Sequence, residues 1–234
     1  MPARSAHIVL AAGSQVRRIL RPQCGLMFPA AESALGRRAA LVLVSAPAWS
    51  LLTPATAHAS GSRARSRLAW VVGDSLTVLG RSALQRRLEP LVSEVEIDAV
   101  GGRPVAELDD LVKARLARGA RPDVMVLALG TNPSAGWGRD DYARVVDRIP
   151  AGVAVVLVTV YRGEESSLPA TVRSMDRYSR AMRALAGERA NVRTAPWRSA
   201  ASQHPGRLLV DGVHQTVRGT RVWAELVADA VGRS

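Results

Sequence analysis

The segment Trp70-Val71-Val72-Gly73-Asp74-Ser75-Leu76-Thr77 joins an apolar run to a helical pattern through a short turn. The β-branched run ends at Gly73, and leucines at helical spacing follow from Leu76, which predicts a strand, a tight turn and a helix. In open α/β sheets such a junction lies at the carboxyl edge, where ligands bind. Taken alone, however, the segment favours a plain turn in which Asp74 and Ser75 cap the helix.

Apolar runs and helical patterns alternate along the rest of the chain. The predicted strands span residues 68–72, 92–100, 124–129, 153–160 and 191–194, and the predicted helices span 76–88, 105–117, 140–149, 170–186 and 217–231. Strands that alternate with helices at this spacing indicate right-handed crossovers and a parallel sheet. We therefore predict one three-layer α/β/α domain at residues 60–234, with a parallel sheet of about five strands.

Polar residues and glycines follow the predicted strands at the same edge of the sheet. Gly102 follows the second strand, Asn132 follows the third, and Asp211 and His214 precede the last helix. Each residue has an ordinary explanation, as a turn glycine, a loop amide or a residue at a helix start. Together with Ser75 they supply a nucleophile, an acid, a base and hydrogen-bond donors in loops that converge.

The histidines narrow the choice of a base. The chain has four, and only His204 and His214 lie in the predicted domain. Of these two, only His214 has a carboxylate, Asp211, three residues before it. A carboxylate behind an imidazole is the arrangement that activates a serine hydroxyl, so the sequence favours His214.

These motifs, in this order, resemble the sequence blocks of the SGNH, or GDSL-type, hydrolase superfamily. The matching residues are Gly73-Asp74-Ser75-Leu76, Gly102, Gly130-x-Asn132 and Asp211-x-x-His214. The resemblance implies a flavodoxin-like fold in which Ser75 is the nucleophile, His214 is the base and Asp211 orients the base. It also implies an oxyanion hole formed by the N–H groups of Ser75 and Gly102 and by the side chain of Asn132.

A finer resemblance concerns the segments 98–103, 130–132 and 195–198. These are similar to small exported SGNH domains of bacterial envelopes, which are often attached to membrane acyltransferases and move or remove acetyl groups on cell-wall glycans. Pro133 stands where lipase-like members of the superfamily usually have aspartate. The resemblance therefore favours an esterase of glycan acyl groups over a lipase.

The predicted activity is cleavage of short-chain acyl esters, with acetyl favoured, on cell-envelope carbohydrate through an acyl-enzyme on Ser75. An O-acyltransferase that uses the same site, with a glycan hydroxyl as acceptor, remains an alternative. A non-catalytic envelope-binding module is a further alternative, although such a module has no need of the full residue set. No cofactor is implied, and no metal either, because no His, Cys and Asp cluster has ligand spacing.

Residues 1–59 differ in composition from the rest and predict a leader with a secretory signal. Arg37 and Arg38 precede an apolar stretch at 39–52, and Ala57-His58-Ala59 ends it with small residues. We expect cleavage near Ala59 and Ser60 and a secreted or extracytoplasmic domain, exported by either the general or the twin-arginine route. The spacing also suggests Met27 as the true start. The single cysteine, Cys24, lies within this leader.

Charge and composition limit the partners. From residue 60 onward the chain carries 26 of its 32 basic residues and 19 of its 20 acidic residues, a net charge of +7. This balance suits an anionic envelope surface. The arginines are scattered along helical stretches without aromatic interleaving, so no nucleic acid partner is expected. We expect a monomer whose substrate is a small acyl ester or an acylated glycan.

Overall fold

The computed structural model describes residues 67–119, 121–163 and 168–234. The predicted leader, with its cleavage site, Cys24 and Met27, lies outside the described residues. Within the described ranges, none of the helices has both the length and the apolar character needed to cross a membrane.

Five parallel strands form a single sheet in the order β2-β1-β3-β4-β5. They are β1 (Leu68–Gly73), β2 (Glu94–Ala99), β3 (Val124–Ala128), β4 (Ala154–Val158) and β5 (Val192–Ala195). This is the flavodoxin-like order, in which β2 is added on one side of β1 and the later strands are added on the other side. The predicted parallel α/β sheet of about five strands is confirmed.

Helices cover both faces of the sheet. They are α1 (Ser75–Leu88), α2 (Leu108–Leu116), α3 (Arg139–Arg148), α4 (Pro169–Glu188), α5 (Trp197–Gln203), α6 (Pro205–Leu208) and α7 (Val217–Gly232). Successive side chains of the central strand β1 point alternately into the two core layers, one on each face of the sheet. Ala69 and Val71 pack with α1, α5 and α7, and Trp70 and Val72 pack with α2, α3 and α4. A strand buried on both faces explains the continuous apolar run from which the fold was predicted.

Three expectations from the sequence are corrected. The predicted helix 105–117 begins as a 3₁₀ turn at Val105–Glu107 and becomes α-helical only at Leu108. The strands predicted at 92–100 and 153–160 are shorter, because flanking residues such as Val92 and Val160 are buried in loops outside the ladder. Helices α5 and α6 were not predicted, since seven and four residues are too few to show a helical period.

Candidate active site

The turn after β1 brings Ser75 to the carboxyl edge of the sheet. Gly73 ends the strand, and a Cβ there would lie 1.9 Å from Thr77 Oγ1, so a larger residue would displace the first turn of α1. Ser75 is the first residue of α1 and is half-buried. The first N–H groups of a helix have no intrahelical acceptor, which leaves the Ser75 N–H able to bind a ligand.

Asp74 is the N-cap residue of this helix and is fully buried. Its Oδ1 accepts a hydrogen bond of 3.0 Å from the Leu76 N–H. Thr131, in the loop after β3, also acts to lower the pKa of this carboxyl group. Asp74 thus has the capping role that the sequence alone favoured.

A closed loop holds His214 over this edge. An isolated antiparallel bridge joins Leu209 to Gln215, and the Val210 N–H donates to the His214 carbonyl at 2.8 Å. Gly212 has a φ of +77°, which lets the chain reverse between the two sides of the bridge. The loop therefore presents Asp211 and His214 from one rigid turn.

The structure brings the three residues Ser75, His214 and Asp211 into one hydrogen-bonded chain. His214 Nε2 lies 3.2 Å from Ser75 Oγ, and His214 Nδ1 lies 2.8 Å from Asp211 Oδ2. With an ionised Asp211, Nδ1 carries the proton and donates it to the carboxylate, so Nε2 of the neutral ring presents its lone pair to the serine hydroxyl. This geometry allows transfer of the hydroxyl proton to the imidazole.

Hydrogen bonds lower the pKa of Asp211, whose side chain is about half exposed. The bond to the His214 ring is the main cause that lowers the pKa of Asp211 to about 2, and burial, the next largest cause, acts in the opposite direction. Its Oδ1 also accepts the N–H groups of Val213 at 2.9 Å and His214 at 2.7 Å. One carboxylate therefore fixes both the backbone of the turn and the orientation of the ring.

The two predicted oxyanion residues outside the Ser75 turn lie in loops that are bonded to each other. Asn132 Nδ2 donates to the Arg103 carbonyl at 3.3 Å, and the Val105 N–H donates to the Asn132 carbonyl at 3.0 Å. An amide has two N–H donors, so the second remains available to an oxyanion. Gly102, next to Arg103, has a φ of +74°, a backbone conformation that favours glycine.

Arg103 is a buried residue whose positioning role the sequence did not reveal. Its Nη2 donates to Asp98 Oδ1 at 2.8 Å, and its Nη1 donates to the Asp98 carbonyl at 3.1 Å and to the Gly73 carbonyl at 3.5 Å. The guanidinium thus ties the ends of β1 and β2 to the Gly102 loop. The only signal in the sequence was its place directly after Gly102.

Asp74 makes the stability of the fold depend on pH. Burial raises the pKa of Asp74 to about 6, while the bonds from Leu76 and Thr131 act in the opposite direction. An acid whose pKa is higher in the folded state stabilises the fold below its unfolded pKa and loses that contribution as the pH rises through the folded value. Two pKa units correspond to about 3 kcal/mol.

The unfolding free energy of Asp74→Asn is therefore expected to rise by about 2.5 kcal/mol relative to that of the wild type as the pH increases from about 4 to about 8. Urea unfolding of both proteins at the two pH values measures this difference. Asp140→Asn, which changes an exposed carboxylate at the start of α3, is the control and should track the wild type. Parallel pH curves for Asp74→Asn and wild type would contradict the assignment.

The described residues contain no group of three or more His, Cys, Asp and Glu side chains arranged to hold a metal ion. What the arrangement offers is an activated hydroxyl, a base with a fixed tautomer and a set of hydrogen-bond donors.

Comparisons with known proteins identify the fold. A scan against protein-family models and a search of curated proteins each returned no match. Among solved structures, the C-terminal catalytic domain of peptidoglycan O-acetyltransferase A from Streptococcus pneumoniae, solved with a methylsulfonyl adduct, is similar. Its TM-score is 0.64 and its identity 23%, over 72% of this chain and 94% of that chain.

Two further structures match at lower identity. A member of the lipolytic G-D-S-L family from Veillonella parvula has a TM-score of 0.58 at 15% identity, covering 72% of this chain and 100% of its own. A carbohydrate esterase of family 3 from Talaromyces cellulolyticus has a TM-score of 0.54 at 17% identity, and the match covers 70% of this chain and 95% of that one. The chain has the fold of the SGNH/GDSL hydrolases, and the predicted resemblance is confirmed at that level.

Proposed function

We propose that this chain is a serine esterase that removes short acyl groups, with acetyl favoured, from carbohydrate of the cell envelope. The observation that carries the proposal is the hydrogen-bonded chain from Ser75 through His214 to Asp211, at 3.2 Å and 2.8 Å. Serine hydroxyls are weak nucleophiles at neutral pH and need a base within hydrogen-bond reach, and this chain supplies one.

The first half of the reaction forms an acyl-enzyme. Ser75 Oγ attacks the ester carbonyl carbon while its proton passes to His214 Nε2. The Ser75 and Gly102 N–H groups and the Asn132 amide stabilise the oxyanion, and one such donor is worth about 3 kcal/mol. The carbon–oxygen bond to the alcohol then breaks, and the leaving oxygen takes the proton from His214 Nε2.

The second half regenerates the enzyme. A water molecule gives a proton to His214 Nε2 as its oxygen attacks the acyl carbon, and the same donors stabilise the second oxyanion. The bond to Ser75 Oγ breaks, the proton returns to that oxygen and the free acid leaves. Asp211 remains ionised throughout and stabilises the imidazolium that forms in each half.

The segment after Asn132 supports a short acyl group. Trp137, the one large apolar residue of the segment 133–138, is buried in the core, where its ring meets that of Tyr142 edge to face at 5.6 Å. It therefore contributes no apolar wall to an acyl pocket.

The proposed carbohydrate substrate is supported by the solved structures of similar fold, which include a carbohydrate esterase and a peptidoglycan acetyltransferase domain.

The test is kcat/KM across 4-nitrophenyl esters from acetate to palmitate. We expect the highest values for acetate, because an open site gains little of the roughly 0.8 kcal/mol that each buried CH₂ contributes in a tunnel. A steady rise toward the long chains would overturn the short-acyl assignment. Cleavage of none of the esters would favour the non-catalytic binding module instead.

Acyl transfer to a glycan hydroxyl is a second candidate. It is supported by the similarity to the acetyltransferase domain and by the half-exposed side chains of Asp211 and His214, which leave room for a large acceptor. Product analysis with an acetyl donor and an unacetylated chitooligosaccharide separates the two activities. Acetylated oligosaccharide indicates transfer, whereas free acetate alone indicates hydrolysis.

We place the domain outside the cytoplasm, on the strength of the apolar stretch at 39–52 and the small residues at 57–59. N-terminal sequencing of protein recovered from the envelope or medium is expected to begin near Ser60. Retention of the full-length chain in the cytoplasm would contradict this location.

A further inference from the structure

A cavity of about 790 Å³ opens beside the Asp211 loop. Its walls come from the chain after β4, from α4, α5 and α6, and from the loop residues Leu209 to Gly212. It shares Asp211 and Gly212 with the candidate active site, and its size lies in the range of ligand pockets. A substrate held at Ser75 therefore has a second pocket next to the site.

Arg162 connects this cavity to the reacting groups. Its Nη1 donates to the Thr131 carbonyl at 3.3 Å, one residue before Asn132. The next residue, Gly163, donates its N–H to the Gly212 carbonyl at 2.7 Å. The chain after β4 thus bridges the oxyanion loop and the histidine loop, and Arg162 lines the cavity at that bridge.

Two arginines line the cavity. Arg162 Nε and Arg198 Nη1 are both buried, and neither has a hydrogen-bond acceptor among the described residues. Arg198 forms an ion pair with Asp176, and Asp211 is bonded to His214, so the two carboxylates that line the cavity already have partners. In the described part of the chain, no carboxylate pairs with Arg162.

Burying an N–H group without an acceptor costs free energy, so such a group in a native protein usually donates to a ligand, an ion or water. Guanidinium N–H groups match the two oxygens of a carboxylate. The Tyr161 ring lies 5.8 Å from the Arg198 guanidinium, and Leu209 and Val210 add apolar surface to the same cavity. The lining therefore combines cationic donors with apolar area, as a charged sugar requires.

We propose that this cavity binds the carboxylate of an acidic sugar in the alcohol part of the ester, with Arg162 as its main recognition residue. This inference rests on the proposed esterase function. It makes the enzyme selective for acylated acidic glycans over neutral ones, and it agrees in sign with the net charge of +7 from residue 60 onward.

Two matched substrates test the proposal: a mono-O-acetylated methyl glucuronoside and the corresponding O-acetylated methyl glucoside, which has CH₂OH in place of the carboxylate. The readout is the ratio of kcat/KM for acetate release from the two. We expect the wild type to favour the acidic substrate at least about tenfold, the size of a hydrogen bond to a charged group. Arg162→Gln should bring the ratio close to one.

The ratio is the correct readout because Arg162 also holds the Thr131 loop, so its loss lowers activity on both substrates. Arg162→Lys keeps the charge and should keep part of the preference. Arg183→Gln removes an exposed charge from the middle of α4 and should leave the ratio at the wild-type value. Circular dichroism and thermal unfolding check that each variant is folded.

The outcomes separate this proposal from the proposed function. Equal kcat/KM values for the two substrates in the wild type, or an unchanged ratio in folded Arg162→Gln, overturn the subsite and leave the esterase intact. If neither substrate releases acetate, activity on 4-nitrophenyl acetate decides whether the esterase stands. In that case, calorimetry with free methyl glucuronoside, and methyl glucoside as control, decides the subsite: selective binding that Arg162→Gln loses supports it, and absence of binding overturns it.

Discussion

Ser75→Ala is expected to lower kcat for 4-nitrophenyl acetate by about 10⁴-fold or more, as loss of the nucleophile does in serine hydrolases. Ser75 Oγ lies 3.2 Å from His214 Nε2 at the start of α1, so the substitution removes the hydroxyl that the His214 ring contacts. The fold should survive, because a single hydrogen bond contributes only about 1 kcal/mol to the free energy of unfolding.

The matched control is Ser82→Ala, which removes a hydroxyl from an exposed position of the same helix. It should keep wild-type kinetics. A fluorophosphonate probe gives an independent readout, since it should add to Ser75 in the wild type and leave Ser75→Ala unlabelled by mass spectrometry. Wild-type turnover by Ser75→Ala, in a preparation free of host esterase, would remove the serine from the mechanism.

The fold was predictable because burial and secondary structure agree along most of the chain. The strands β1, β3 and β4 are interior strands, and their continuous apolar runs have no other ready explanation at that length. Strand ends were less predictable, since Val92 and Val160 are buried without pairing. Burial sets the apolar pattern, and the hydrogen-bonded ladder covers only part of it.

The residue types of the candidate site were predictable from motifs, whereas its supporting contacts were not. The sequence indicated that Ser75, Asn132 and His214 share an edge of the sheet, but the distances depend on the bridge at Leu209 and Gln215, which leaves no pattern in the sequence. Asp74 caps the helix, which the local sequence predicts, but its complete burial and raised pKa depend on the surrounding fold.

The arginines show most clearly where the sequence alone is uninformative. Nearly all basic residues of the chain are arginine, so Arg103 and Arg162 do not stand out by type. In the structure, one is buried between two strand ends and the other lines the cavity beside Asp211. The role of Arg103 and the proposed role of Arg162 follow from burial and from contacts in the folded chain, and neither of these is encoded in spacing.

His214→Ala is expected to reduce kcat for acetate esters by about 10⁴-fold or more, close to the effect of removing the serine, because the two groups act as a unit. Without the imidazole, Ser75 Oγ has no base within reach and the leaving alcohol has no acid. The two losses should therefore not add, and the double variant Ser75→Ala/His214→Ala should be about as inactive as either single variant.

His204→Ala is the control, since His204 is the other histidine of the domain and is exposed at the junction of α5 and α6. It should retain wild-type kcat and KM, with both variants measured on the same 4-nitrophenyl acetate assay. An inactive His204→Ala beside an active His214→Ala would show that His204, and not His214, is the base. The geometry argues against that result, because His214 donates to an ionised carboxylate through Nδ1 and faces the serine through Nε2, and a base needs both contacts to hold its tautomer.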